Sequence, residues 1–131
     1  DGKGEPRRRE VGMHIHCKRA YEAATATDGQ RVLVDRLWPR GISHARLQAQ
    51  WLRDVAPSDP LRQWFDHRAE RWDAFRQRYW RELAAQPRLL APLRDALDAG
   101  PVTLVYGARD TVHNQAVALR DYLLAHPRRT A

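Results

Sequence analysis

One cysteine and one methionine stand among the 131 residues, and the scarcity of thiols already closes off several classes of protein. With Cys17 alone no intrachain disulfide can form, which fits a reducing, cytoplasmic setting. There is no CxxC pair, no Walker A loop and no GxGxxG fingerprint, so the usual phosphate-cradling and cysteine-zinc motifs are missing. No thiol lies between Tyr106 and Thr111, which excludes cysteine-based phosphatase or sulfurtransferase chemistry in that loop. No apolar run approaches the roughly 18 residues of a membrane span, and no leader-type apolar segment opens the chain. No cofactor, metal site or membrane partner is therefore implied.

Positive charge is abundant. The net charge is +7 and the isoelectric point about 10.5. The opening DGKGEPRRREVG, residues 1–12, reads as a disordered or expression-derived tail, and it supplies only +1 of that charge. Such a balance favours anionic partners, a small molecule or nucleic acid. It is also what a merely arginine-rich, soluble surface gives, since the arginines are scattered along the chain rather than gathered in one block.

Periodicity places the elements. Met13 to Lys18 alternates apolar and polar residues, with Met13, Ile15 and Cys17 on one face and His14, His16 and Lys18 on the other, as in a half-exposed strand. Arg31 to Leu37 and Val102 to Tyr106 are apolar at consecutive positions, as expected of strands covered on both faces. Ser43 can cap a short helix to about Gln48, and Trp51–Val55 reads as a short strand or extended segment. Asp59-Pro60 opens a helix carrying Leu61, Trp64 and Phe65. A longer helix runs from about His67 to Ala85, with Trp72, Phe75, Tyr79 and Leu83 in one stripe. Pro87 opens a helix with Leu90, Leu93 and Leu97 inward, closed at Gly100. The last helix puts Val112, Ala116, Leu119 and Leu123 on one face. Strands alternating with helices predict one compact α/β domain over residues 13–126, a small and mostly parallel sheet with helices packed on it, followed by a tail at 127–131.

Ligands of open α/β sheets bind at the carboxyl ends of the strands. Two loops leave such ends: Asp35 to Gly41, and Gly107 to Thr111 followed by His113, Asn114 and Gln115. Arg36, Arg40 and Arg109 can clamp an anion there with paired hydrogen bonds, Trp38 can stack over it, and Asn114 can contribute from the helix start. Asp35, Asp110 and His113 are the candidates for proton transfer, and whether any catalysis occurs stays open. The competing assignment pairs Asp35 and Asp110 with Arg36, Arg40 or Arg109 in a salt-bridged corner, since a buried charge needs a partner. His14 and His16 have a metal-compatible spacing but no third ligand, and they read as solvent-facing strand residues. Of the five tryptophans, Trp64 and Trp72 fit helix stripes and only Trp38 follows a strand end beside two arginines.

DRLWPRG (35–41), WLRDVAPS (51–58), LRQWF-DH (61–67), RYWREL (78–83) and VTLVYGARDTVHNQAVALRDYL (102–123) occur in order. Together they resemble the YeaO-like branch of domain-of-unknown-function family 488, small bacterial proteins. The resemblance spans about residues 13–124 and implies a cytoplasmic α/β domain with DRLWPRG and YGARD-HN as its signature. Relatives in the wider family look as if they carry a cysteine and a Cys-His-Arg run where this chain has Tyr106 and His113-Asn114-Gln115, so thiol chemistry proposed for them does not transfer. Three functions remain: a site for an anionic small molecule such as a nucleotide or phosphate-bearing metabolite, a basic nucleic-acid-binding module, or a non-catalytic structural or interaction domain. Oligomeric state is not legible.

Overall fold

The computed structural model describes residues 14–128. Met13 and the flanking segments 1–12 and 129–131 lie outside that range. Four strands form one sheet: β1 (Ile15–Arg19), β2 (Gln30–Leu33), β3 (Gln50–Trp51) and β4 (Val102–Tyr106). Their order is β1-β4-β2-β3 and every pairing is parallel. Five α-helices accompany them: α1 (His44–Leu47), α2 (Asp59–Phe65), α3 (Trp72–Ala85), α4 (Ala91–Ala99) and α5 (Gln115–Ala125). The α/β architecture expected from the strand and helix alternation is the one found.

VTLVY occupies an inner position because all five of its residues are buried. Its side chains alternate between two cores, as a strand's period of two requires. Val32, Val34, Val102, Leu104 and Tyr106 face the larger core, which the apolar stripes of α2 to α5 fill. Leu33 and Val105 face a smaller one with Ala20, Ile42 and Leu47, closed by the segment around α1. In α3 the expected stripe holds, with Phe75, Tyr79 and Leu83 buried and Trp72 packed against them. Leu90, Leu93 and Leu97 point inward as predicted. Trp80, one position off the α3 stripe, packs partly against the larger core, and its indole N–H donates to the Ala118 carbonyl at 3.0 Å. Cys17 packs half-buried against the same core, and burial pushes its thiol up to about 11.

A buried polar cluster lies under the amino end of the sheet. Asp28 accepts from Lys18 at 3.0 Å and from Arg31 at 2.7 Å, and the buried Thr103 hydroxyl donates to the Asp28 carbonyl at 2.8 Å. Burial alone would raise the Asp28 pKa. The Thr25 N–H, Lys18, the Thr25 hydroxyl and Arg31 outweigh it and hold the carboxyl well below the usual carboxylate range.

Several boundaries differ from the sequence expectation. The Trp51–Val55 segment is strand only at Gln50–Trp51 and a 3-10 turn at Arg53–Val55, and Pro87–Leu90 is a 3-10 turn before α4. Three others have a clear local reason. The second strand ends at Leu33 rather than Leu37, because after the Val34 N–H bonds Val105 at 3.0 Å the chain turns out of the sheet. The long helix starts at Trp72 rather than about His67, since Asp66 and His67 both adopt left-handed backbone (φ 49° and 54°) and stop α2 there. The last helix starts at Gln115, and Val112, assigned to its buried face, is 59% exposed. Asp110 Oδ1 accepts the N–H groups of Val112 and His113 at 2.9 Å each, so the 111–114 segment is irregular. Extended Asn114 (φ −143°) then caps α5 by accepting from the Val117 N–H at 3.0 Å.

Candidate functional site

Because β1, β2 and β4 run parallel, their carboxyl ends open on one side of the sheet, and the loops that follow meet there. Arg19 Nε donates to the Ala108 carbonyl at 2.9 Å and the Ala20 N–H to the Tyr106 carbonyl at 2.7 Å. The two signature loops line a single cleft of about 1090 Å³. Its lining includes all eight residues singled out from the sequence: Asp35, Arg36, Trp38, Arg40, Arg109, Asp110, His113 and Asn114. Phe65 and Phe75 from α2 and α3, with ring centroids 4.2 Å apart, form the apolar wall.

Asp35 is the keystone, although its partners are not those expected. Its Oδ2 accepts the Gly107 N–H at 2.8 Å, and its Oδ1 accepts from the Gln115 side-chain amide. One carboxylate thereby ties the end of β2 to the end of β4 and the first residue of α5. Gly107 permits this approach, since a Cβ there would sit 3.0 Å from Asp35 Oδ2. No arginine or lysine pairs with Asp35 among the described residues, so the expected Asp35–arginine bridge is absent. Burial pushes Asp35 up to about 6, against the pull of the Gly107 N–H and Gln115.

The expected pairing of Asp110 with an arginine is also absent among the described residues. Asp110 instead organises its own loop, and its Oδ2 lies 2.9 Å from His113 Nδ1. The N–H groups of His113 and Val112 hold its carboxyl down to about 2. With Asp110 ionised, Nδ1 of His113 is the donor, and the ring stands edge-on to Trp72 at 5.4 Å. This pair has the arrangement of an oriented base. No serine, threonine, cysteine or lysine lines the cleft among the described residues.

The three arginines divide. Arg36 is half-buried and turned toward the entry of α2, with Nη2 donating to the Pro57 carbonyl at 3.2 Å and Nε 3.7 Å from Asp59. Arg40 and Arg109 are exposed, and neither guanidinium has a hydrogen-bond or carboxylate partner among the described residues. Gly41, with φ +75°, makes the turn after Arg40 that residues with a Cβ rarely adopt. Trp38 is committed to that turn. Its indole N–H donates to the Ile42 carbonyl at 2.6 Å, and its ring stacks on His44 at 3.9 Å. Asn114 lines the cleft, but both ends of its amide serve the α5 cap, one through Val117 and the other on the Asp110 carbonyl.

The sequence argument passed over Tyr21, Arg62 and His67 as lining residues, and it placed Gly107 and Gln115 in the second loop without giving either a role. Tyr21 had a signal: it follows a third parallel strand, so the same crevice rule reaches it. Arg62 and His67 are placed by α2 itself and by the left-handed corner that follows it. His14 and His16 are exposed on the edge strand, and among the described residues no cluster of histidine, cysteine, aspartate and glutamate could hold a metal. No helix among the described residues is long and apolar enough to cross a membrane.

Fold and cleft together define a small α/β domain with an arginine-rimmed cleft at the carboxyl ends of parallel strands. The chain belongs to the inactive DUF488-N3 subclade, whose family model matches residues 14–131, as the order of its motifs suggested. It is 41% identical over 112 residues to "Uncharacterized protein YeaO" of Escherichia coli (strain K12), covering 85% of this chain and 97% of that protein. It is also 41% identical over 110 residues to "Uncharacterized protein Rv3073c" of Mycobacterium tuberculosis (strain ATCC 25618 / H37Rv), covering 83% and 92%. No solved structure matches.

Proposed function

We propose that this domain binds an anionic small molecule, a nucleotide or a phosphate-bearing metabolite, in the strand-end cleft and does not turn it over. The observation that carries this is the pair Arg40 and Arg109, one from each signature loop, both exposed, both without a carboxylate partner among the described residues, and both lining the same cleft. Arginines with free planar donors in a concave site suit phosphate or carboxylate oxygens. Binding without turnover is supported by the family description, inactive. Trp38 and Asn114 act in this scheme as supports of the two loops, and Arg36 sets the α2 entry.

The test is a thermal-shift screen of inorganic phosphate, pyrophosphate, nucleoside monophosphates and sugar phosphates on wild type, Arg40→Ala and Arg109→Ala. A ligand at about 100 times its Kd stabilises the folded state by roughly 2.7 kcal/mol, or several degrees for a domain of this size. Shifts in wild type that shrink in both variants support the assignment. A wild type indifferent to every anion overturns it.

A further inference from the structure

A carboxylate offers about four lone-pair directions, and within the protein Asp35 uses two. One takes the Gly107 N–H and one the Gln115 amide, both neutral donors. The remaining directions meet no protein donor among the described residues, and Asp35 lines the cleft. An uncharged asparagine at this position would tie the same loops together, its oxygen facing Gly107 and its amide facing a turned Gln115. It would do so without burying a charge, so the bridge alone does not account for the carboxylate. What the carboxylate adds is acceptor capacity directed at whatever occupies the cleft.

Resting on the anion-binding assignment above, we infer that Asp35 is a second recognition group, so that the cleft selects anions carrying an N–H donor edge remote from the charge, as guanosine monophosphate does. The arginines of the rim take the anion and Asp35 takes the donor edge, whose N–H groups complete the acceptor shell that the protein leaves unfilled. The cleft, at about 1090 Å³, has room for a nucleoside monophosphate.

Calorimetric titration at pH 7.5 with inorganic phosphate, phenyl phosphate and guanosine monophosphate tests this. Phenyl phosphate supplies anion and ring without a donor. In wild type guanosine monophosphate binds more tightly than phenyl phosphate. Asp35→Asn lowers its affinity about 10- to 100-fold, as expected for a hydrogen bond to a charged group, and leaves the other two within about twofold. Arg40→Ala weakens all three. Wild type provides a check that needs no variant: the affinity ratio of guanosine monophosphate to phenyl phosphate falls as pH drops through about 6, where Asp35 takes up its proton. The other charged and titratable groups lining the cleft are Arg36, Arg40, Arg62, Asp66, His67, Arg109, Asp110, His113 and Tyr21, and phenyl phosphate controls for their effect on the phosphate and for the phosphate's own ionisation at about pH 6. Equal affinity for the two probes, or an Asp35→Asn effect common to all three, overturns the role of Asp35 and leaves anion binding standing. Failure of all three to bind removes both.

Discussion

Asparagine in place of Asp35 is expected to stabilise the protein at neutral pH and to lose that advantage in acid. Asp35 is partly buried with only two neutral amides as partners, and burial lifts its pKa from 3.8 to about 6. At about 1.4 kcal/mol per pKa unit, the folded state disfavours the charged form by about 3 kcal/mol. The folded-state value lies above the unfolded one. Asp35 therefore supports folding fully below about pH 3.9, and that contribution is lost as pH rises through about 6. Asp35→Asn removes the charge and can keep both hydrogen bonds if the Gln115 amide turns, so about 1–3 kcal/mol is expected to be recovered at pH 8. Urea unfolding of wild type and variant at pH 8 and pH 4 measures this. The midpoint of the variant is expected to be higher by roughly 1 M at pH 8 and close to wild type at pH 4. A variant less stable than wild type at pH 8, or one offset equally at both pH values, would refute the reasoning. The first outcome would mean that the carboxylate bridge outweighs its desolvation.

Asp28→Ala leaves Arg31 buried without its carboxylate, and Arg31 already has one unpartnered buried nitrogen; a loss of about 3–5 kcal/mol is expected in urea unfolding. The Asp28 pKa is depressed on folding, so its stabilisation is present above about pH 3.9 and fades as pH falls below that, and the acid limb of stability should flatten in the variant. Arg40→Ala and Arg109→Ala are expected to change stability by no more than about 0.5 kcal/mol, because both side chains are exposed and unpartnered; a sharp fall in melting temperature would return them to a structural role. Gly107→Ala presses a methyl to 3.0 Å from Asp35 Oδ2 and is expected to cost about 1–3 kcal/mol, and unchanged stability would refute the close approach.

The element pattern was legible because burial periodicity reports directly on packing: VTLVY, the α3 stripe and the leucines of α4 all lie where their spacing puts them. The location of the cleft was legible for a different reason. In a parallel sheet the loops after the strands share one side, whatever their residues, so naming two strand ends was enough to bring Asp35 and Asp110 near each other. The partners of those carboxylates were not legible. Charge pairing is the natural guess for an aspartate beside arginines, yet Asp35 found two neutral amides and Asp110 found the N–H groups of its own loop. Which donor wins depends on loop direction, and a close backbone approach at a glycine leaves only a faint trace in sequence. The break between helices at Asp66 and His67 was legible, but not that both residues turn left-handed and delay the long helix to Trp72, because aspartate and histidine favour positive φ far less strongly than glycine.

Holding the fold and holding a ligand looked like rival explanations for the charges after β2, but they apply to different residues. Arg36 reaches Pro57 and Asp59, a tie between β2 and α2, although its buried Nε has no hydrogen-bond partner among the described residues. Arg40 and Arg109 have no hydrogen-bond or carboxylate partner among the described residues, so no tie within the described fold depends on their charge. Asp35 belongs to both groups. Its hydrogen bonds brace the two loops, while its charge works against folding above about pH 6. A residue that braces at a cost an amide would avoid is the expected mark of a site where stability is given up for recognition. The carboxylate sits at the point where the strand-end loops meet, so displacing it would shift the Gly107 and Gln115 sides of the cleft together.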